Sequence, residues 1–93
     1  MSVIARHLLI RGHVQGVFFR AWTVKTASDL GLTGWVRNVR SGDVEAVVQG
    51  EPAAVDQFIT LAHNGPPVAR VDNIDQRDEP VSHYTGFEKR ATV

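Results

Sequence analysis

The sequence predicts an α+β fold of the ferredoxin-like type, with order βαββαβ and two helices on one face of a mainly antiparallel sheet. Four segments carry strand-like apolar patterns, and two carry apolar residues at helical spacing. These segments alternate in the order that the fold requires. The 93 residues contain no linker, repeat or low-complexity tract, so residues 1–93 are predicted to form a single domain.

The first predicted strand runs from Ile4 to Arg11. Leu8 and Ile10 are its core candidates, because the opposite side of the strand carries a histidine and an arginine. The strand-like alternation then ends in a segment with two glycines, Gly12 and Gly16.

The first helix is expected from about Phe19 or Arg20 to Leu30. Gly31 follows it and can adopt the left-handed conformation that commonly ends a helix. The residues expected to form its buried stripe are Phe19, Thr23, Val24, Ala27 and Leu30.

Two further strands are predicted, from Trp35 to Arg40 and from Asp43 to Gln49. Ser41 and Gly42 between them predict a short hairpin turn. Trp35, like Trp22 in the first helix, is expected to be a packing residue.

The second helix follows Pro52, whose missing N–H is tolerated in a first helical turn. It ends at residues 64–67, after which Val68 to Gln76 is strand-like and Tyr84 to Arg90 forms a short closing strand. Its apolar stripe has clear helical spacing and consists of Val55, Phe58, Ile59 and Ala62.

Composition excludes several functional classes. Ten basic and ten acidic residues give no net charge, which argues against a general nucleic-acid binder. The absence of cysteine removes thiolate nucleophiles and cysteine metal sites, and the four histidines lack metal-ligand spacing. No apolar run is long enough to span a membrane, and no signal peptide is evident, so a cytoplasmic protein is expected.

The segment from Gly12 to Arg20 has the composition of an anion site. A glycine-containing loop between a strand and a helix can direct backbone N–H groups toward an anion, and a helix start adds positive potential. Arg20 would contribute a guanidinium that binds two phosphate oxygens. An ordinary turn with a solvated arginine is the alternative. No nucleotide-binding fingerprint is present, so one small phosphate group is the expected ligand.

Topology brings Asn38 toward this loop. In the predicted fold the first and second strands are parallel, so their carboxyl ends lie at the same edge of the sheet. The amide of Asn38 could then accept from a water and donate to a substrate oxygen. A residue leading into the following turn is the alternative explanation.

The sequence resembles the acylphosphatases over nearly its whole length. The segments that carry the resemblance are Val14–Arg20, Gly34–Asn38, Gly42–Glu45, Gln49–Gly50, Gly65–Val71 and Tyr84–Glu88. The resemblance implies hydrolysis of a carboxyl–phosphate anhydride by a monomer, without metal or cofactor. It also implies that Arg20 binds the phosphoryl group and that Asn38 positions the attacking water. The N–H groups expected to surround the phosphate belong to Gln15, Gly16, Val17, Phe18 and Phe19.

Two residues depart from the family pattern. Phe18 stands where the family often has a smaller residue, including glycine, and Lys89 lies in a closing strand that is usually more apolar. The loop and the closing edge are therefore where this chain is expected to differ, while the two catalytic positions match.

Some alternatives stay open at this stage. A phosphate-sensing domain would use the same loop, but it would not need the water-positioning role of Asn38. An RNA-recognition domain is disfavoured because the two central strands carry no aromatic residue. Arg37 and Arg40 either steer anionic substrates or are solvated, and His13 either tunes the loop or lies on the surface. The acidic residues Asp72, Asp75, Asp78 and Glu79 are expected to solubilise a sheet edge.

Overall fold

Two helices and five strands are formed within residues 2–93, the part of the chain that the computed structural model describes. Neither helix is long and apolar enough to cross a membrane. In chain order the elements are β1 (Ile4–His13), α1 (Phe19–Asp29), β2 (Thr33–Asn38), β3 (Val44–Gly50), α2 (Pro52–Ala62), β4 (Arg70–Glu79) and β5 (Phe87–Lys89).

The strands form one mixed sheet in the order β4-β1-β3-β2-β5. The first four strands pair antiparallel, and β5 adds to the edge of the sheet in parallel with β2. Because β1 and β2 both run antiparallel to the intervening β3, they point in the same direction. The predicted ferredoxin-like α+β fold is confirmed.

The core lies between the two helices and one face of the sheet. Leu8 and Ile10 of β1 are fully buried there, as predicted. The predicted stripe of α2 is buried in full, whereas α1 buries Phe19, Thr23 and Ala27. Val24 and Leu30 were also predicted for that stripe, but they are only partly buried, because they pack at the margin of the core.

Several predicted boundaries were wrong for local reasons. The first strand continues to His13, because a register irregularity between Arg11 and Gly12 lets it keep pairing with β4. The predicted two-residue hairpin is instead a loop over residues 39–43, closed by the N–H of Val39 donating to the carbonyl of Asp43 at 3.0 Å. Gly31 does adopt the expected left-handed conformation, with φ of 75°.

The acidic residues of β4 lie on an edge strand, and two of them, Asp75 and Asp78, pair with arginines of β1. An Arg11–Asp75 pair has a separation of 3.0 Å, and an Arg6–Asp78 pair has one of 2.7 Å.

The ends of the last two strands also differ from the prediction. β4 continues to Glu79, three residues beyond the predicted end. The closing strand is shorter than predicted, since only Phe87–Lys89 pairs regularly.

The sheet face away from the helices carries a polar network. Glu45 accepts hydrogen bonds from Nε2 of His7 and from Nε of Arg37, each at 2.7 Å. The guanidinium groups of Arg37 and Arg90 lie 4.7 and 4.9 Å from the ring centre of Trp35. Arg37 is therefore held by Glu45 and Trp35 rather than freely solvated, and Trp35 is a packing residue as predicted.

This network predicts a pH-dependent stability. Burial raises the pKa of Glu45, but hydrogen bonds and charges from His7 and Arg37 outweigh burial and hold the pKa below its usual 4.5. The resulting stabilisation is present above pH 4.5 and is lost as the pH falls through the lowered pKa. Glu45→Gln should cost about 1 to 2 kcal/mol of unfolding free energy at neutral pH, and less in acid.

Urea unfolding of both proteins at several pH values measures the effect. Glu88→Gln is the matched control, because its carboxylate pairs with Arg90 on the exposed surface. A cost for Glu45→Gln that stays constant into acid would contradict the assignment.

Candidate active site

A pocket of about 270 Å³ lies where the carboxyl ends of β1 and β2 meet. Loop 14–18 follows β1, and Asn38 is the last residue of β2. Both reach the pocket, as the topology predicted. The residues that line it are Val14, Gly16, Phe18, Phe19, Arg20, Ala21, Asn38 and Lys89, whereas Gln15 and Val17 of the loop do not line it.

The loop backbone has an unusual conformation. Gly16 and Phe18 both have left-handed φ angles, of 73° and 64°. Such residues in a tight loop can turn successive N–H groups to one side and create a concave anion-binding surface. Within residues 2–93, the loop N–H groups from Gln15 to Phe18 donate to no protein acceptor. The loop therefore has free donors directly before the start of α1, where further N–H groups lack intrahelical partners.

Arg20 lies in the first turn of α1 and lines the pocket. It forms no ion pair with a carboxylate of residues 2–93. Five other arginines do form such pairs: Arg6, Arg11, Arg37, Arg70 and Arg90. The guanidinium of Arg20 is thus available for an anion in the pocket.

Asn38 contributes a buried acceptor without a protein partner. Its Oδ1 is inaccessible to solvent and accepts no hydrogen bond. In the part of the chain from Ser2 to Val93, the one other side-chain atom in this condition is Oγ1 of Thr23, which does not line the pocket. A buried acceptor without a partner is costly, so this oxygen would gain a hydrogen bond if the side chain rotated toward a donor in the pocket, such as water.

Two of the predicted loop residues direct their side chains elsewhere. Nε2 of Gln15 donates to the carbonyls of Val39 at 2.7 Å and Asp43 at 2.9 Å, which fastens the loop to the β2–β3 connection beside Asn38. Val17 is buried in the hydrophobic core. These side chains hold the loop in place, so Gln15 and Val17 can reach an anion only through their backbone N–H groups.

Lys89 is a pocket residue that the sequence did not identify as functional. Its cross-strand partner is Val36, which is buried in the core, and paired residues project from the same face of a sheet. Lys89 therefore lies on the helix side of the edge strand and lines the pocket with Arg20. The one signal for it was a lysine in a position expected to be apolar.

The pocket is positive in character. Arg20 and Lys89 have no carboxylate partner within residues 2–93, and none of the lining residues is acidic. Free N–H groups at the helix start add to this potential. No cluster of three or more histidine and carboxylate side chains suited to a metal ion occurs across positions 2–93. The arrangement fits one small anion next to a positioned polar molecule.

Comparison with known proteins identifies the relatives of this chain. A family model described as Acylphosphatase matches residues 6–89. The chain is 49% identical over 90 residues to an acylphosphatase from Rhizorhabdus wittichii, covering 97% of this chain and 91% of that protein. It is 47% identical over 90 residues to one from Acidovorax, covering 97% and 93%. An acylphosphatase structure from Coxiella burnetii superposes with a TM-score of 0.92 at 40% identity, covering 95% and 93%.

Proposed function

Since the chain belongs to the acylphosphatase family and is an enzyme of that class, we propose that it hydrolyses small acyl phosphates without a metal or cofactor. Water attacks phosphorus while the bond between phosphorus and the acyl oxygen breaks. The electron pair leaves on the carboxylate, and the second product is inorganic phosphate. The carboxylate is a good leaving group, so the reaction mainly requires positioning and charge stabilisation.

Arg20 and the loop N–H groups are proposed to bind the phosphoryl group. The guanidinium can donate two parallel hydrogen bonds to phosphate oxygens, and the N–H groups of residues 15–19 can surround the others. These donors are held in position before the substrate arrives, because Gln15 is bonded to the β2–β3 connection. They can therefore stabilise developing charge with little reorganisation.

Asn38 is proposed to orient the attacking water. The observation that carries the proposal is its buried, unpartnered Oδ1 in the same pocket as an unpaired arginine. A water that donates to this oxygen directs a lone pair away from Asn38, toward a phosphoryl group bound by Arg20. A domain that only sensed phosphate would gain nothing from this buried acceptor.

Among residues 2–93, no carboxylate or histidine lines the pocket to act as a base. We therefore propose that the attacking water transfers its proton to a phosphate oxygen of the substrate. His13 precedes the loop but is exposed and does not line the pocket. The assignment would be contradicted if kcat rose with pH as a histidine loses its proton, and if this dependence on pH disappeared in His13→Gln.

The proposal is tested by phosphate release from acetyl phosphate and benzoyl phosphate. Turnover should persist in excess chelator, and inorganic phosphate should inhibit competitively. Absence of phosphate release by the folded protein would overturn the proposal. We also propose a cytoplasmic monomer that does not act on nucleic acid or membranes. The balance of ten basic and ten acidic residues supports the absence of nucleic-acid binding.

Lys89 is expected to strengthen anion binding. In Lys89→Met, the inhibition constant of inorganic phosphate and the KM for acetyl phosphate should rise about threefold, the scale of one exposed charge pair. kcat should change less, because Arg20 and the loop remain. Lys25→Met is the matched control, since Lys25 pairs with Asp29 and does not line the pocket. Equal inhibition constants in the wild type and both variants would contradict this role.

A further inference from the structure

We propose that the aromatic ring of Phe18 binds the acyl group of the substrate. The enzyme would then prefer acyl phosphates with an aromatic or large apolar acyl group over acetyl phosphate. This inference rests on the proposed function and names the substrate class of the same site. It concerns the side chain of Phe18, whereas the family resemblance involves only its backbone N–H.

Phe18 combines two features that do not help folding. The residue is 80% exposed, more than any other large hydrophobic residue within residues 2–93. Its φ of 64° is left-handed, and it is the one residue other than glycine with positive φ in the described chain. This conformation is unfavourable for a bulky side chain. Backbone strain of this kind occurs often at functional sites, where the surrounding structure maintains it.

Phe18 also occupies the N-cap position of α1 without forming a capping hydrogen bond. Asparagine, aspartate, serine and glycine are the residues that favour this position. A phenylalanine at this site neither caps the helix nor packs in the core, so its ring remains available to a ligand.

The expected direction of the reaction brings the acyl group toward this ring. In phosphoryl transfer, the attacking and leaving oxygens lie roughly in line across phosphorus. The water is assigned to buried Oδ1 of Asn38, so the acyl group must lie on the opposite side of the phosphoryl group, toward the open rim. The exposed lining residues at that rim are Gly16, Phe18, Ala21 and Lys89. Phe18 provides the only large apolar surface among these four residues.

The experiment compares kcat/KM for benzoyl phosphate with kcat/KM for acetyl phosphate. Phe18→Gly removes the ring and suits the left-handed backbone, so it should fold. The benzoyl-to-acetyl ratio should fall about fivefold in Phe18→Gly and be retained in Phe18→Tyr, which keeps a ring. Val81→Ala is the control, because Val81 is exposed but follows β4 at the opposite end of the sheet. Its ratio should match the wild type.

A binding measurement gives a readout that is independent of turnover. The inhibition constants of phenylphosphonate and methylphosphonate are compared, or their dissociation constants if no turnover is seen. Phe18→Gly should lose the preference for the phenyl compound, and Phe18→Tyr should keep it. Equal preferences in the wild type and Phe18→Gly, or equal losses in the glycine and tyrosine variants, would overturn the inference. If the wild type turns over neither substrate, the proposed function fails, and the phosphonate preferences still decide the role of the ring.

Discussion

Arg20→Ala is expected to lower kcat/KM for acetyl phosphate by about a thousandfold, through a higher KM and a lower kcat together. The guanidinium has no carboxylate partner and lines the pocket beside free N–H donors. In the proposed role of Arg20, its removal would take away both the charge that attracts the phosphate dianion and two directed hydrogen bonds. Across the described residues 2–93, Arg20 is the one arginine that lines the pocket, so no other arginine replaces it.

Steady-state kinetics and inhibition by inorganic phosphate measure this effect. Arg20→Lys should recover only part of the activity, because an ammonium group cannot donate the same paired hydrogen bonds. Arg77→Ala is the control, since Arg77 lies on the edge strand β4 and does not line this pocket. Retained affinity for phosphate in a folded Arg20→Ala protein would refute the assignment.

Asn38→Ala is expected to reduce kcat about a hundredfold while KM for acetyl phosphate stays within about twofold. The substrate would still bind to Arg20 and the loop, but the attacking water would lose its buried acceptor. The change should not destabilise the fold through lost side-chain hydrogen bonds, because Oδ1 has no protein partner. The loss of rate should therefore occur without a lower Tm.

Single-turnover and steady-state measurements separate these contributions, with thermal unfolding recorded on the same samples. Asn64→Ala is the matched control, since Asn64 is exposed beyond α2 and lies outside the pocket. An Asn38→Ala enzyme with a large rise in KM and an unchanged kcat would show that Asn38 binds the ground state rather than the water.

Local periodicity was sufficient to predict much of this fold. The helical spacing of Val55, Phe58, Ile59 and Ala62 predicted a stripe that is fully buried. Parallel alignment of the first two strands was enough to bring Asn38 to the loop. These features depend on spacing within a segment or on a topology with few alternatives, so they can be predicted from a single sequence.

The remaining features of the site depend on contacts between residues that are far apart in the sequence. Such contacts could not be predicted from a single sequence. The bonds from Gln15 to Val39 and Asp43 depend on how two distant loops meet. Lys89 reaches the pocket because β5 adds in parallel beside β2, a pairing that no short motif indicated. The left-handed conformation of Phe18 could not be predicted either, since phenylalanine does not favour it.

The final residues of the described chain continue alongside β2. The N–H of Arg90 donates to the carbonyl of Val36 at 2.8 Å, and the N–H of Arg40 donates to the carbonyl of Val93 at 2.9 Å. Lys89 of β5 and the loop after β1 line the same pocket, so segments that are far apart in the sequence form it together. Pairing between such distant segments is slow to form, because loop closure must precede it. The pocket should consequently be completed late in folding, once β5 has paired with β2.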